Sequence, residues 1–412
     1  MRWITGPLVA ATFALGAMAP TTVSAADLPP SRQAGNTLGA PLGREALRPV
    51  PRAWIVADAG VVVDASELVV LTPDDEAADT LIRQATPLGY EVLRRDALDA
   101  LNQTLIVVRI PQGRTGPQAI AEIEQLQASA TAGVNHAYSV PAASAALERF
   151  QYADAMIGWP ASGCQSHAAI GLVDTAIDPA ALSTLSARIE TADFRRDPGE
   201  QTGTHHGTAL AALLAGPGRL LEPEIFNAVV AGDGHTLGSA AGVDDLLRAL
   251  DWLAQQDVRV VNISLAGPYN KILDIGIQSA AARGLVLVAA AGNDGQSSNP
   301  RFPAAFEEVI AVTAVDADQE VYSNAVHGPH IDFAAPGVDV AVPLGDQLQF
   351  VSGTSVAVPF MTALLAADPM IQGPIDPTEI VADYGKSAVD VGETGKDDVF
   401  GFGIISVADQ CS

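Results

Sequence analysis

Five continuous apolar runs of strand length, separated by stretches of helical character, constrain the fold of this chain most. The runs are Ala168–Val173, Ile225–Val230, Val258–Ile263, Leu285–Ala290 and Val309–Ala314. Helical stretches lie between them at His206–Ala215, Gly238–Gln255 and Leu273–Arg283. Apolar strands that alternate with helices are typical of a parallel sheet covered on both faces. We therefore predict a doubly wound α/β domain with its functional groups at the carboxyl ends of the strands.

The region before this alternation has a different order of elements. Its strand-like segments are Glu67–Leu71, Tyr90–Arg94, Thr104–Ile110 and Gly133–Val140, and its helical segments are Asp74–Leu88 and Pro117–Gln127. The resulting order is β-α-β-β-α-β, which predicts a small α+β domain of ferredoxin-like topology with two helices on one face of an open sheet.

The first 25 residues have the pattern of an export signal. Arg2 gives a positive start, Pro7 to Met18 is apolar, and Val23-Ser24-Ala25 offers small residues for a signal peptidase. The apolar run is too short for a transmembrane helix, although an uncleaved anchor is the alternative. We therefore expect cleavage near Ala25 and a periplasmic or secreted mature protein without a stable membrane span.

Composition divides the rest of the chain. We predict a Pro- and Gly-rich arm over residues 26–65, the small domain over 66–140, an Ala-, Ser- and Gly-rich connector over 141–165, and the α/β domain over 166–412.

The formal net charge is −26. Because phosphate binding needs a basic face, this charge argues against nucleic acid as a partner. No Asp-x-Asp-x-Asp-Gly loop supports a structural calcium ion.

Four short segments contain residues suited to acyl transfer. Asp174 ends an apolar strand, His206 precedes Gly-Thr-Ala at the start of a helix, and Ser355 lies in Gly-Thr-Ser-Val-Ala before another helix. Asn293 follows Ala-Ala-Gly. The set comprises an orienting carboxylate, a base, a nucleophile and an amide that could stabilise an oxyanion, and the chemistry itself needs no cofactor.

Three of these four residues also have an ordinary structural interpretation. Ser355 could cap a helix, and Asn293 could belong to a Gly-Asn-Asp-Gly turn. His206 could be a capping or packing residue, and His205 stands beside it, although the Gly-Thr spacing favours His206. Asp178 is a weaker candidate carboxylate that we interpret as a helix cap. The joint order Asp, His, Ser is the stronger indication.

Together the four segments resemble the subtilisin-like serine peptidases, or subtilases, from about Ile170 to Ala408. The resemblance implies that Asp174, His206 and Ser355 form a catalytic triad and that Asn293 donates to the oxyanion. It further implies substrate-binding roles for Ser264, Leu265, Ala266 and Gly267, which pair with the substrate backbone, and for Ala290, Ala291 and Gly292, which form the floor of the pocket for the residue before the scissile bond. Phe302–Pro303 matches a position that is often cis.

The resemblance extends to the N-terminal region and has local departures. The β-α-β-β-α-β domain looks like a subtilase propeptide, which implies an intramolecular inhibitor whose tail, about residues 141–155, enters the site and is cut. Ala176 stands where glycine is usual after the aspartate, and Val356 stands where methionine is common after the serine. Neither departure removes a reacting atom.

The chain has two cysteines, Cys164 and Cys411. An even number of cysteines in an exported protein favours a disulfide, here between the start and the end of the α/β domain, and two free thiols are the alternative.

We thus predict an exported serine endopeptidase acting on polypeptides. A catalytically silent or self-inhibited relative that binds peptides or proteins is the principal alternative. A serine esterase is disfavoured because it should show Gly-x-Ser-x-Gly and the order Ser, Asp, His. A Rossmann-like cofactor binder is disfavoured because no Gly-x-Gly-x-x-Gly follows a strand.

Overall fold

The structure is a computed structural model. It describes residues 66–138, 152–182, 187–196, 203–232, 240–344, 347–371, 375–407 and 411. The predicted signal peptide and arm, and the predicted cleavable tail except for its last four residues, lie outside the described residues.

The N-terminal domain contains the predicted β-α-β-β-α-β order. Its elements are β1 (Glu67–Thr72), α1 (Asp75–Ala85), β2 (Glu91–Leu98), β3 (Gln103–Arg109), α2 (Gly116–Leu126) and β4 (Thr131–Val134). The four strands form an antiparallel sheet in the order β2-β3-β1-β4. Asp74 caps α1 by accepting the Ala77 N–H at 2.8 Å, which satisfies a donor that the helix cannot satisfy itself.

The last predicted strand of this domain is shorter than expected. Gly133–Val140 was predicted as one strand, but β4 ends at Val134 and a separate strand, β5 (Ala137–Tyr138), follows. Between them, Asn135 donates from Nδ2 to Asp244 Oδ1 at 2.6 Å and accepts the Val243 N–H at 2.7 Å. These contacts with the following domain interrupt the strand, and residues 139–140 lie outside the described residues.

The C-terminal domain is built on a sheet of seven strands, all parallel. They are β7 (Ile170–Asp174), β8 (Arg188–Asp193), β10 (Glu224–Val229), β12 (Val260–Ile263), β13 (Val286–Ala290), β14 (Val309–Val315) and β15 (Phe333–Pro336), after a short β6 (Cys164–Gln165). Their order is β15-β14-β13-β12-β7-β10-β8. The doubly wound α/β fold is thereby confirmed. The short β9 (Leu220–Leu221) pairs with β6, and β11 (Ala241–Gly242) pairs antiparallel with β5.

Helices cover both faces of this sheet. They are α3 (Tyr152–Ile157), α4 (His205–Ala215), α5 (Val243–Gln255), α6 (Lys271–Ala282), α7 (Thr354–Ala367) and α8 (Pro377–Tyr384), and a hairpin of β16 (Val340–Leu344) and β17 (Gln347–Val351) precedes α7. All fourteen residues of α7 are buried, so this helix, apolar on all sides, runs through the core. The packing of α7 against the sheet therefore fixes the position of the residues at the start of α7.

The strand β1, inside the sheet of the N-terminal domain, is buried on both faces. Leu68 and Val70 pack on α1 and α2 within their own domain. Val69 and Leu71, pointing to the opposite face, join the core cluster that contains residues of α5 and α6. This arrangement explains why β1 is a continuous apolar run rather than an alternating one.

Polar contacts surround this apolar interface. Arg94 pairs with Asp244, which is fully buried at the start of α5. Lys271 Nζ lies 2.5 Å from Glu124 Oε1. Gln103 Nε2 donates to Ser279 Oγ at 3.0 Å, and Asn270 Nδ2 donates to the Val134 carbonyl at 2.7 Å. Because a hydrogen bond requires a particular distance and angle between donor and acceptor, these contacts orient the N-terminal domain on α5 and α6.

The buried carboxylate of Asp251 allows this interface to be tested by measuring stability as a function of pH. Its carboxylate, 4% exposed, accepts the Leu101 N–H at 3.1 Å, and burial raises the pKa of Asp251 above its ordinary value. A raised pKa favours the folded chain at low pH, and this contribution is lost as the pH rises through the folded-state pKa. The Asp251→Asn substitution keeps an acceptor for Leu101 without the charge. We expect its thermal unfolding midpoint to exceed that of the parent by a few degrees at pH 7.

Circular dichroism melts between pH 4 and 7 would measure this difference, which should increase with pH. Asp257→Asn is the control, because its side chain is 90% exposed and its neutralisation should leave the pH dependence unchanged. An Asp251→Asn chain that is less stable than the parent at pH 7 would contradict the prediction.

Candidate active site

The carboxyl ends of three adjacent central strands meet at one edge of the sheet. Asp174 is the last residue of β7, Ser264 follows β12, and Asn293 lies three residues after β13. Functional groups of open α/β sheets gather at this edge because the loops leaving neighbouring strands converge there. The site is therefore positioned by β7, β12 and β13, which are buried along their whole length.

Asp174 and His206 form a buried pair. Asp174 is fully buried, and its Oδ1 accepts the Thr175 N–H at 2.7 Å. His206 Nδ1 lies 2.8 Å from Asp174 Oδ1 and 3.0 Å from Oδ2. A carboxylate beside Nδ1 holds the proton on that nitrogen and leaves Nε2 as the acceptor.

Gly207 permits this pairing at the start of α4. A Cβ on Gly207 would lie 2.5 Å from the Thr175 carbonyl oxygen, which no side chain could tolerate without movement of the backbone. The Gly207 N–H also donates to Thr175 Oγ1 at 2.8 Å. The glycine after His206 therefore lets the first turn of α4 approach the end of β7 closely enough for the two side chains to meet.

Ser355 lies on the other side of His206. It occupies the first turn of α7, is 1% exposed, and its Oγ lies 3.1 Å from His206 Nε2. His205 points elsewhere and contacts Gln349 of β17. The structure thus brings together Asp174, His206 and Ser355. Asp178 accepts the Ala180 N–H at 2.9 Å in a turn, and no helix starts directly after it among the described residues, so its interpretation as a helix cap is wrong.

Asn293 presents an unsatisfied amide beside Ser355. Its Oδ1 accepts from Thr354 N at 3.0 Å and from Thr354 Oγ1 at 2.8 Å, which orients the amide. Its Nδ2 is buried and has no hydrogen-bond partner among the described residues. A Cβ built on Gly353 would lie 3.0 Å from this Nδ2 and 3.2 Å from Ser355 Oγ, so both atoms border one small space.

Thr354 is a positioning residue that sequence reasoning missed. Besides its two bonds to Asn293, its Oγ1 accepts the Gly292 N–H at 3.1 Å. Thr354 therefore links the segment after β13 to the start of α7. Its position between Gly353 and Ser355 was the available signal, but its role depends on contacts with residues 61 and 62 positions away.

The first of the two segments predicted to bind substrate begins beside Ser355. Ser264 Oγ donates to the Ser355 carbonyl oxygen at 3.1 Å, and this segment continues through Leu265 and Ala266 to Gly267. The second segment, Ala290–Gly292, leaves the neighbouring strand β13. Both predicted segments thus leave neighbouring strands at the edge of the sheet where Ser355 lies.

Two covalent features lie at the positions that the sequence singled out. Cys164 and Cys411 are joined by a disulfide with a Cα–Cα distance of 5.2 Å. The Phe302–Pro303 peptide bond is cis. Among the described residues, no group of three His, Cys, Asp or Glu side chains could hold a metal ion. In the same part of the chain, no helix has both the length and the apolar composition to cross a membrane.

Residues 165–403, more than half of the 412-residue chain, match the sequence profile of the subtilase family. The chain is 29% identical over 267 residues to the minor extracellular protease Epr of Bacillus subtilis (strain 168), covering 62% of this chain and 40% of that protein. It is 29% identical over 255 residues to halolysin of Haloferax mediterranei, covering 59% of this chain and 49% of that protein. The chain thus spans half or less of the length of these two relatives.

Solved structures share the fold. Fervidolysin from Fervidobacterium pennivorans, described as a keratinolytic enzyme related to subtilisin, superposes with a TM-score of 0.66 at 18% identity, covering 86% of this chain and 62% of that one. The epidermin leader peptide processing serine protease of Staphylococcus aureus superposes with a TM-score of 0.62 at 14% identity, covering 84% of this chain and 99% of that one. In both cases the shared fold extends beyond residues 165–403.

Proposed function

This chain belongs to the subtilase family, and we propose that it is a serine endopeptidase that uses Asp174, His206 and Ser355. The observation that carries the proposal is the chain of two hydrogen bonds from Asp174 through His206 to Ser355, with the unsatisfied Asn293 amide beside the serine. A nucleophile, a base oriented by a carboxylate and an oxyanion donor are the groups that acyl transfer requires.

In the acylation step, Ser355 Oγ attacks the peptide carbonyl carbon. The Ser355 proton passes to His206 Nε2, and Asp174 stabilises the imidazolium that forms. Collapse of the tetrahedral intermediate breaks the C–N bond, and His206 returns the proton to the leaving amine. Water then attacks the acyl-enzyme by the same route, which releases the acid and restores Ser355.

The negative oxygen of the intermediate is stabilised by the Asn293 amide and the Ser355 N–H. The Ser355 N–H lies in the first turn of α7, where a backbone N–H has no carbonyl one turn earlier in the helix to bond, so it can donate to an anion. Because the Asn293 amide is already oriented by Thr354, little reorganisation is needed when charge develops.

Removal of the Asn293 amide should lower kcat selectively. We expect Asn293→Leu, which has a similar volume, to reduce kcat about 10²–10³-fold with a small change in KM, the size found for an oxyanion-hole asparagine in a subtilisin. Steady-state kinetics on a peptide substrate measure this effect. Asn324→Leu, on an exposed loop, is the control, and equal activity of the two variants would exclude Asn293 from the oxyanion site.

Covalent labelling of the nucleophile tests the proposed activity as a whole. The exported protein, treated with a fluorophosphonate, should gain the mass of one adduct, and peptide mapping should place that adduct on Ser355. A processed chain that remains unlabelled would contradict the proposal and would favour a silent, peptide-binding relative.

We also propose that the chain is exported and that its N-terminal domain inhibits the peptidase until it is cut. Support for inhibition comes from the interface with α5 and α6, and from the pairing of β5 with β11, which leads the chain from the N-terminal domain along the C-terminal one. Support for export comes from the signal-like residues 1–25.

Mass analysis over time, combined with N-terminal sequencing, tests both points. The first form should begin at Ala26, and a fragment that begins within about residues 141–165 should appear together with hydrolytic activity. An active preparation that contains only uncut chain would contradict the inhibitory role.

A further inference from the structure

The carbonyl group of Ser355 lacks the partner that a helix normally provides. In an α-helix each carbonyl oxygen accepts the N–H four residues further on, and for Ser355 that residue is Pro359, which has no N–H. The proline ring also crowds the carbonyl four residues before it. The first turn of α7, which contains the proposed nucleophile, therefore needs a hydrogen-bond donor from outside the helix.

Ser264 supplies this donor. Its Oγ donates to the Ser355 carbonyl oxygen at 3.1 Å, although the two residues are 91 positions apart in the chain. Ser264 directly follows β12, and both residues are buried. Because both are shielded from solvent, the Ser264 hydroxyl rather than bulk water takes the place of the N–H that Pro359 lacks.

Asn262 fixes the direction in which this hydroxyl donates. Asn262 Nδ2 donates to Ser264 Oγ at 2.9 Å, which leaves the hydroxyl proton for the Ser355 carbonyl. Thr362 Oγ1 in turn donates to Asn262 Oδ1 at 3.2 Å and so fixes the orientation of the amide. Thr362, Asn262 and Ser264 thus form a directed hydrogen-bond chain that begins and ends on α7.

The surroundings of Asn262 are otherwise apolar. It lies in β12 between Leu172 of β7 and Val288 of β13, and all three residues are fully buried. A buried amide in an apolar layer is costly unless both of its polar ends are hydrogen-bonded. The bonds to Thr362 and Ser264 meet this requirement, and they account for a polar residue in a strand whose other members are apolar.

We propose that Ser264 and Asn262 are positioning residues that fix the proposed nucleophile, Ser355, through its carbonyl group. The inference rests on the proposed peptidase function and adds a support for the nucleophile. Holding Ser355 by its carbonyl leaves its Oγ for His206 and its N–H for the oxyanion. The predicted pairing with substrate uses the backbone of Ser264, whereas positioning uses its hydroxyl.

The Ser264→Ala substitution tests the proposal in the processed protein. We expect kcat for a peptide substrate, and the second-order rate constant for fluorophosphonate labelling of Ser355, to fall about 10–100-fold, as small displacements of a reacting group can cause. KM should change little. Asn262→Leu should lower the same two rates, and the double variant should lose no more than Ser264→Ala alone, because Asn262 acts through the Ser264 hydroxyl.

The Pro359→Ala substitution distinguishes positioning from general destabilisation. It supplies an N–H four residues after Ser355, so the carbonyl regains a donor within the helix. In the Pro359→Ala background, Ser264→Ala should lower the labelling rate by about threefold or less. An equal cost in both backgrounds would overturn the proposal, because the Ser264 hydroxyl would then not be replacing the missing N–H.

The matched control is Ser279→Ala. Ser279 Oγ donates to the Ile275 carbonyl oxygen at 2.8 Å and accepts from Gln103 Nε2 at 3.0 Å, the same kinds of partner that Ser264 has. On α6 the residue four positions after Ile275 has an N–H, so that carbonyl keeps a helical donor. The processed Ser279→Ala protein should match the parent in both rates, and a loss as large as that of Ser264→Ala would overturn the proposal.

The reaction of the parent with the fluorophosphonate separates the two proposals. If the parent is labelled on Ser355 and Ser264→Ala is labelled at the same rate, the positioning inference fails and the peptidase function stands. If the processed parent is neither labelled nor active, the proposed function fails and the positioning inference fails with it. Thermal melts identify variants that are unfolded at the assay temperature. If Ser264→Ala is one of them, an unchanged labelling rate in Asn262→Leu would overturn the proposal.

Discussion

Replacing Ser355 by alanine should lower kcat for peptide hydrolysis about 10⁶-fold, the size found for the corresponding loss in a subtilisin. Ser355 Oγ lies 3.1 Å from His206 Nε2, and the substitution removes the atom that forms the acyl-enzyme. The buried start of α7 should tolerate the change, since alanine is smaller and favours helices.

Initial rates with a peptide substrate, together with intact mass, measure this effect. The Ser355→Ala chain should remain uncut and should not react with a fluorophosphonate. Ser387→Ala, which removes a hydroxyl bonded to the Tyr384 carbonyl oxygen after α8, is the control and should behave as the parent. Residual hydrolysis by Ser355→Ala at more than about a thousandth of the parent rate would show that another group supplies the nucleophile.

Replacing Asp174 by asparagine should lower kcat about 10⁴-fold while the fold remains intact. Asparagine has the same shape, but its amide NH₂ can face His206 Nδ1 and force that nitrogen to act as an acceptor. The imidazole proton would then lie on Nε2, and a protonated Nε2 cannot accept the proton of Ser355. The low exposure of both residues makes compensation by water inefficient.

Kinetics at neutral pH and a thermal melt distinguish this effect from unfolding. The unfolding midpoint of Asp174→Asn should remain within a few degrees of the parent value. Asp178→Asn is a close control because Asp178 lies four residues further on and caps the local turn, where asparagine is an equal substitute. Similar losses in both variants would show that the effect is not specific to the carboxylate beside His206.

The central strands were predictable because they are apolar on both faces. The predicted runs that became β7, β10, β12, β13 and β14 differ from the observed strands by at most two residues at either end. β8 (Arg188–Asp193) was not predicted. It has polar residues, pairs among the described residues with β10 alone at the edge of the sheet, and is largely exposed, so it has no apolar run. β15 (Phe333–Pro336) was too short to stand out.

The N-terminal domain shows a different limit. The apolar run of β1 predicted a strand without indicating what would cover its two faces. Only the structure shows that α5 and α6 cover the second face. The division between β4 and β5 depends in the same way on Asn135, whose partners Val243 and Asp244 lie more than a hundred positions away.

The sequence by itself determined the parallel sheet and the candidates Asp174, His206, Ser355 and Asn293, because hydrophobic periodicity and short motifs are local properties. Tertiary structure decided which groups meet. His206 and Ser355 are 149 positions apart, and their contact depends on the packing of α4 and α7 on the sheet. Contacts of this kind follow from the closing of the chain around its core, which no local pattern encodes.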